Sequence, residues 1–323
     1  MTRRTDQVPD LVARARSGEL RAVARLISLV EDESPALREV MAALAPHAGH
    51  AMVVGLTGAP GVGKSTSTNA LVRELRTAGR RVGVLAIDPS SPFSGGALLG
   101  DRIRMGDHAT DEGVYIRSMA SRGHLGGLAR STPQAMRVLD AARYDVVLVE
   151  TVGVGQSEVE IAGLADTTLV LVAPGMGDGI QAAKAGILEI GDLFVVNKAD
   201  REGARTVARD LRSMVSLTER APHAWTPRVL KTVASSGEGV AEVVAALDEH
   251  HEWLRTSGEL ERRRARRAHA EIEAIAVAEL RRRWGAVGER SRLDALAEQV
   301  VAGDLDPYAA ADRLLGPDPE RKP

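Results

Sequence analysis

The sequence predicts an α/β fold in which a mostly parallel central sheet is flanked by helices. Short apolar runs alternate with helical stretches through the middle of the chain. The runs are apolar almost without interruption, as in strands that are buried on both faces. The segments between them suit crossover helices. The two ends of the chain carry no strand signal, so we expect three regions, residues 1–50, 51–257 and 258–323.

The N-terminal region, residues 1–50, is expected to be helical because its apolar residues recur at helical spacing. They are Leu11, Ala15, Val23, Leu26, Ile27 and Val30. Ser34 and Pro35 are typical of an N-cap and a first helical residue, so they predict the start of a further helix.

The central region contains the apolar runs that are expected to form the sheet. They are MVVGLTG (52–58), VGVLAID (82–88), VYIRS (114–118), DVVLVET (145–151), TLVLVAP (168–174), LFVVNK (193–198) and RVLKTV (228–233). Ligands of open parallel sheets bind beyond the carboxyl ends of the strands. Polar residues that follow these runs are therefore the first candidates for a functional site.

The C-terminal region begins with a long charged helix that carries a narrow apolar stripe. The stripe consists of Ala268, Ile272, Ala276, Leu280 and Trp284. It could pack on its own domain or form a dimer arm. The basic cluster 262–267 is interpreted as a solvated helix face paired with Glu259, Glu261 and Glu271, rather than as a nucleic-acid site.

Composition excludes several classes of protein. The 323 residues are 44% hydrophobic, and the net charge of −2 argues against a protein that coats nucleic acid. The absence of Cys excludes disulfides, thiolate metal sites and Cys nucleophiles. No apolar run approaches the ~20 residues of a membrane span, and the start of the chain has no secretory apolar segment. We expect a cytoplasmic protein with neither a membrane nor a nucleic acid as partner.

The residues after the first predicted strand match the phosphate-loop pattern in full. Backbone N–H groups of such a loop surround phosphate oxygens. Lys64 should reach the β- and γ-phosphates, and the Ser65 hydroxyl should bind Mg²⁺. A helix from Ser67 to Ala78 should follow. The predicted nucleotide-binding residues are Gly58, Ala59, Pro60, Gly61, Val62, Gly63, Lys64, Ser65 and Thr66.

A second motif, Asn197-Lys198-Ala199-Asp200, follows a late strand, as the guanine-reading signature of GTPases does. The Asp200 carboxylate can accept hydrogen bonds from the ring N–H and the amine of guanine, which adenine lacks. Asn197 can bind the other edge, and the Lys198 stem can lie over the base. Ser235 and Ser236 occupy the usual place of a second base-contacting loop. Together the two motifs predict binding of GTP or GDP.

Several acidic residues lie at or near predicted strand ends, where a Mg²⁺ ion or its waters would be bound. Asp88 and Glu150 end two of the runs, and Asp101 follows a Gly-rich loop. Most phosphate-loop GTPases have Asp where Glu150 stands, so this longer side chain could act through water. Lys64, Asp101, Glu150 and Gln156 are the candidate catalytic residues, with Gln156 either orienting the attacking water or merely starting a helix. Possible arginine fingers are Arg102, Arg104 and Arg122.

Three longer strings resemble the methylmalonyl-CoA mutase-associated GTPases, also called the MeaB or ArgK family. They are AIDPSSPFSGGALLGDRIRM (86–105), IRSMASRGHLGGL (116–128) and VETVGVGQSE (149–158). The resemblance runs from about residue 10 to about residue 315, and DPYAAADRLL (306–315) is similar to the end of family members.

This resemblance implies a homodimeric GTPase that serves as chaperone of an adenosylcobalamin-dependent acyl-CoA mutase. Family members gate cofactor delivery by the adenosyltransferase and help to remove damaged cobalamin. The resemblance also implies that Asp88, Asp101 and Glu150 serve Mg²⁺ and the switch loops. It assigns a partner-responsive segment containing Asp178, Gln181 and Lys184, and it favours the dimer arm as the role of the C-terminal helices.

Two alternatives remain open at the level of the sequence. One is a GTPase with another client, such as a metallocentre, although such proteins usually carry Cys or His clusters. The other is a small-molecule kinase, which would usually prefer ATP and against which Asp200 argues. The particular mutase is not specified by the sequence.

Overall fold

The computed structural model describes residues 7–88, 108, 110–120, 131–151, 156–175, 189–284 and 287–315. Its centre is a seven-stranded parallel sheet in the order β3-β2-β4-β1-β5-β6-β7. The strands are β1 (Met52–Thr57), β2 (Val82–Asp88), β3 (Val114–Ala120), β4 (Val146–Thr151), β5 (Thr167–Val172), β6 (Leu193–Val196) and β7 (Arg228–Lys231). The predicted fold class is thus confirmed, with β2 equal to its apolar run, β3 longer, and the other five strands shorter.

Helices precede, connect and follow the strands. They are α1 (Val8–Arg16), α2 (Leu20–Glu31), α3 (Leu37–Leu44), α4 (Lys64–Thr77), α5 (Thr132–Ala141), α6 (Gln156–Leu164), α7 (Ala204–Leu217), α8 (Val240–Thr256), α9 (Glu259–Trp284), α10 (Val287–Ala302) and α11 (Pro307–Leu315), with a 3-10 turn at Ala45–His47. Within the described residues, no helix is long and apolar enough to cross a bilayer.

The helices cover both faces of the sheet, which explains the uninterrupted apolar runs. On one face, α1, α2, α3 and α5 pack against β2, β3 and β4 around Leu26, Ile27 and Tyr144. On the other face, α4 and α8 pack against β1, β4, β5 and β6 around Leu75 and Leu247. The N-terminal helices therefore form part of the core.

Two helix starts differ from those predicted. Helix α3 begins at Leu37 instead of Pro35, because the Ser34 hydroxyl accepts a hydrogen bond from Ala36 N in the turn before the helix. Helix α4 begins at Lys64 instead of Ser67, since the chain passes directly from the left-handed Gly63 into the helix.

The chain divides into two compact units between Arg264 and Ala265, and α9 begins in the first unit and continues into the second. In the second unit, Ile272 and Leu280 of α9 are 68% and 43% exposed. Helices α10 and α11 pack together, with Arg313 Nη1 donating to Gln299 Oε1 at 3.2 Å. The domain bounds expected from the sequence remain a prediction.

The basic cluster is only in part the solvated helix face interpreted from sequence: the exposed Arg262 pairs with Glu259 at 2.7 Å as expected, whereas Arg263 and Arg264 are half-buried and bind other elements. The Arg263 guanidinium donates two hydrogen bonds to Asp192, at 2.8 and 2.9 Å. The Arg264 guanidinium lies 2.9 Å from an oxygen of the fully buried Asp166 and also donates to Ala51 O. These two arginines tie the start of α9 to the residues immediately before β1, β5 and β6.

His250 of α8 is fully buried beside this cluster, with its Nδ1 atom 2.8 Å from Thr167 Oγ1. Burial lowers the pKa of His250 to about 4, although Asp192 opposes the shift. A lowered pKa in the folded state means that the unfolded chain takes up the proton first as the pH falls. The contribution of His250 to the free energy of unfolding is therefore complete above pH ~6.5 and is lost as the pH falls from there to the folded pKa of about 4.

We expect the free energy of unfolding to fall by about 3 kcal/mol between pH 6.5 and pH 4 through His250 alone. Urea unfolding at a series of pH values measures this loss. The variant His250→Gln should lose clearly less stability over that range, although it begins less stable. An identical pH dependence in both proteins would show that another group controls acid unfolding.

Candidate functional site

The sheet topology places the phosphate loop at its centre. Strand β1 lies between β4 and β5, so the order of the strands reverses direction at β1. Ligands of open parallel sheets bind at this switch point, beyond the carboxyl ends of the strands. Residues 58–63 follow β1 there and lead into α4.

Two glycines of the loop have no room for a side chain. Gly58 has a φ of +140°, and a Cβ atom would lie 2.2 Å from Leu171 O. Gly63 has a φ of +96°, and a Cβ atom would lie 2.5 Å from Asn197 Nδ2. Glycine is therefore required by both backbone conformation and close approach.

Lys64 folds back over the loop that precedes it. The residue is buried, and its Nζ atom donates to Gly58 O at 2.6 Å and to Ala59 O at 3.2 Å. This position holds the ammonium group within the loop, where the backbone N–H groups of a phosphate loop would hold an anion. The charge is thus in place before a nucleotide binds.

Glu150 connects the end of β4 to the start of α4. Its Oε1 atom accepts a hydrogen bond from Ser65 Oγ at 2.7 Å, and its Oε2 atom lies 2.7 Å from Thr68 Oγ1. Glu150 is only 5% exposed, and Thr68 is fully buried. The sequence motifs did not identify Thr68. The available signal was its position four residues after Lys64, because residues four apart share one face of a helix.

Replacing Thr68 by valine keeps the shape of the side chain and removes its hydroxyl. A hydrogen bond to a charged group contributes about 1.5–3 kcal/mol, so we expect the free energy of unfolding to fall by about 2 kcal/mol. Urea unfolding of the nucleotide-free protein measures this change. Thr68→Ser should restore most of the loss, and Thr66→Val, at the exposed neighbouring threonine, should change little. An equal loss of stability in both valine variants would show that the hydrogen bond between Thr68 and Glu150 does not stabilise the protein.

The second sequence motif, residues 197–200, contacts the phosphate loop directly. The buried Asn197 donates from Nδ2 to Val62 O at 2.9 Å. Its Oδ1 atom accepts from Ala234 N at 3.1 Å and from Thr232 Oγ1 at 3.2 Å. Lys198 has a φ of +55° and donates from Nζ to Gly61 O at 2.6 Å. The asparagine amide thereby links β6, the loop after β7 and the phosphate loop.

The remaining predicted base-contacting residues lie at the surface beside this link. Asp200, Ser235 and Ser236 are exposed, and Ser236 Oγ donates to Val233 O at 3.1 Å. Asp200 has no hydrogen bond or ion pair with another described residue. Its carboxylate is accessible to a ligand. Direct contact between Asn197 and a base edge remains a prediction, because its amide is engaged by the protein.

Other predicted site residues lie wholly or partly outside the described residues. These are Asp101, Asp178, Gln181, Lys184, Arg102, Arg104 and Arg122, together with the side chains of Asp88 and Gln156. The backbone of Asp88 ends β2 and that of Gln156 begins α6. Among the described residues, no group of three or more His, Cys, Asp or Glu side chains is arranged to hold a metal ion.

The parallel sheet, the glycine-dependent loop at its switch point and the buried lysine define a phosphate-loop nucleotide-binding protein. Residues 23–288 match the family described as "Methylmalonyl Co-A mutase-associated GTPase MeaB". The chain belongs to this family, and it is a GTPase. The recognition from sequence is thereby confirmed.

Individual relatives agree with this assignment. A protein of Pyrococcus abyssi that is named as a GTPase is 46% identical over 310 residues, covering 95% of this chain and 96% of the relative. The mouse protein named methylmalonic aciduria type A homolog, mitochondrial, is 36% identical over 277 residues, covering 81% of this chain and 64% of the mouse protein. A solved structure titled LAO/AO transport system kinase has a TM-score of 0.72 and 28% identity, covering 98% of each chain.

Proposed function

We propose that this GTPase is the chaperone of an adenosylcobalamin-dependent acyl-CoA mutase of the methylmalonyl-CoA mutase type. The observation that carries the proposal is membership, across residues 23–288, of a family described by its association with that mutase. The name of the mouse relative, which refers to methylmalonic aciduria, supports the same client. The proposed action is to gate cofactor loading from the adenosyltransferase and to protect or reactivate the mutase.

The nucleotide would occupy the phosphate loop, with its phosphates against the backbone of 58–65 and its guanine beside Lys198 and Asp200. Lys64 would hold the β- and γ-phosphates, and the exposed Asp200 would accept hydrogen bonds from guanine. Asn197 would position both halves of the site, because its amide joins the phosphate loop to the loop after β7.

The residues around Ser65 fit Mg²⁺, which prefers oxygen ligands. Ser65 Oγ and Glu150 Oε1 are 2.7 Å apart and offer a hydroxyl and a carboxylate. Asp88 and Asp101 are proposed as further acids for the ion. Bound there, Mg²⁺ would neutralise charge on the β- and γ-phosphates. Thr68 would orient the Glu150 carboxylate by its hydrogen bond to Oε2.

Ser65 and Glu150 could report the nucleotide state to the loops that follow them. Ser65 would exchange its hydrogen bond to Glu150 for contacts in the nucleotide complex, and Glu150 immediately precedes Thr151 at the end of β4. Hydrolysis removes the γ-phosphate and lets such loops relax, so a partner can distinguish the two states. Asp178, Gln181 and Lys184 are proposed to respond to the mutase.

We also propose that the protein is a homodimer joined through its C-terminal helices. Ile272, Ile275 and Leu280 of α9 are large apolar side chains that remain exposed in the single chain. A second chain would cover such side chains favourably, since burial of apolar surface drives association.

The test is the steady-state rate of GTP hydrolysis with and without a purified cobalamin-dependent acyl-CoA mutase from the same organism. We expect the mutase to raise the rate at least about fivefold, the low end of typical coupling between sites. Asp178→Ala and Lys184→Ala should keep the basal rate and lose most of the rise. Normal basal hydrolysis without any rise would reject the mutase as the client and would leave the GTPase assignment intact.

A further inference from the structure

A cavity of about 420 Å³ opens at the amino ends of the strands, opposite to the end that carries the phosphate loop. It is lined by Arg16 at the end of α1, by the segment before β1, and by the turn that connects α5 to β4. All of these residues precede Ala265 and belong to the first compact unit. We call this space the basic cavity.

The basic cavity is lined by two arginines and two aspartates, so its formal charges balance, but only the arginine side chains are left without partners. Two arginines, Arg16 and Arg143, and two histidines, His47 and His50, line it. Among the described residues, neither arginine side chain forms an ion pair or a hydrogen bond. Both guanidinium groups are therefore available to an anion from outside the protein.

The two carboxylates that also line the cavity are already engaged by backbone N–H groups. Asp140 accepts from Ala51 N at 2.9 Å, from His50 N at 3.1 Å and from Gly49 N. Asp145 accepts from Arg81 N at 2.7 Å. These acids fix the chain before β1 and β2, and neither is bonded to the cavity arginines.

The cavity also holds one buried donor without a partner. Arg16 Nε is buried and has no hydrogen-bond partner among the described residues. Tyr144 beside it is 2% exposed, and the Arg81 guanidinium lies over its ring. Buried polar groups are normally hydrogen-bonded, so the Arg16 donor points to a missing acceptor.

The backbone of the turn that carries Arg143 also favours a cavity that takes up an acceptor from outside the protein. Arg143 follows the C-cap of α5 and has a φ of +64°, a conformation that glycine adopts most easily at this position. The chain places a charged arginine there, with its side chain lining the basic cavity.

We propose that the basic cavity binds a small organic phosphate. The two unengaged guanidinium groups offer donors and positive charge, which match a ligand composed of acceptor oxygens, and guanidinium groups suit phosphate geometry. The volume lies within the ~300–1,000 Å³ of small-molecule sites. Pro46, Ala141 and the Tyr144 ring supply apolar surface for the organic part. This site is separate from the nucleotide site and does not depend on the proposed client.

Calorimetric titration of the full-length protein tests the proposal. The protein is first saturated with GDP and Mg²⁺ so that the nucleotide site is occupied. Phenyl phosphate and inorganic phosphate are the probes, and benzyl alcohol is the uncharged comparison. We expect one saturable site for phenyl phosphate, weaker binding of inorganic phosphate, and no binding of benzyl alcohol.

Variants locate the binding. Arg143→Gln, at an exposed position, and Arg16→Gln should each weaken phenyl phosphate binding about tenfold or more, and Tyr144→Phe should weaken it less. Arg205→Gln, at an exposed arginine of α7, is the matched control and should leave binding unchanged. The absence of saturable binding, or equal binding by Arg143→Gln and Arg205→Gln, would overturn the proposal.

Discussion

Replacing Lys64 by alanine is expected to slow GTP hydrolysis by about 10²–10³-fold, the typical effect of removing one charge-stabilising donor from an active site. The Lys64 ammonium is buried against Gly58 O and Ala59 O, so it is positioned at the loop before the nucleotide arrives. An alanine leaves the loop glycines in place and removes the only charge that this side chain contributes.

Single-turnover and steady-state hydrolysis at saturating GTP measure this effect, with the melting temperature followed to exclude unfolding. Lys231→Ala is the matched control, because Lys231 is an exposed lysine at the end of β7. Hydrolysis by Lys64→Ala within about threefold of the wild-type rate would show that the phosphate loop does not carry the reaction.

Replacing Asp200 by asparagine is expected to lower the preference for GTP over ATP by about thirtyfold, corresponding to about 2 kcal/mol for the hydrogen bonds to a charged group that are lost. An asparagine amide donates where the carboxylate only accepts. The variant should therefore gain affinity for xanthosine triphosphate, whose ring has a carbonyl where guanine has its amine. Asp200 is exposed and unpaired among the described residues, so little loss of stability should accompany the change.

Competition of GTP, ATP and xanthosine triphosphate against a fluorescent guanine nucleotide measures these preferences. Glu202→Gln removes an exposed carboxylate two residues away and should leave the preferences unchanged. An Asp200→Asn variant that still prefers GTP as the wild type does would place the base elsewhere. An ATP preference in the wild-type protein would instead favour the small-molecule kinase.

Local sequence was sufficient to predict the strands and the phosphate loop. Strands buried on both faces leave uninterrupted apolar runs, and a phosphate loop is one contiguous segment whose glycines are required by the geometry. At Gly58 and Gly63 the structure shows this requirement directly, since a Cβ atom would collide with Leu171 O or Asn197 Nδ2.

Contacts between distant segments were not predictable in the same way. Thr68 and Glu150 are 82 residues apart in sequence, and only the packing of α4 against β4 brings them together. Arg263 and Asp192 are 71 residues apart, and Arg264 and Asp166 are 98 apart. From the sequence alone the arginines were therefore interpreted as part of a charged helix face, because only the fold identifies their partners. The basic cavity was missed for the same reason.

A crystal structure with a non-hydrolysable GTP analogue and Mn²⁺ in place of Mg²⁺ tests the nucleotide site most directly. We expect an anomalous peak beside Ser65 Oγ, Glu150 released from its direct hydrogen bond to Ser65, and guanine against Lys198 and Asp200. A nucleotide bound with the hydrogen bond between Ser65 and Glu150 intact, or with its guanine away from Asp200, would contradict the proposed site.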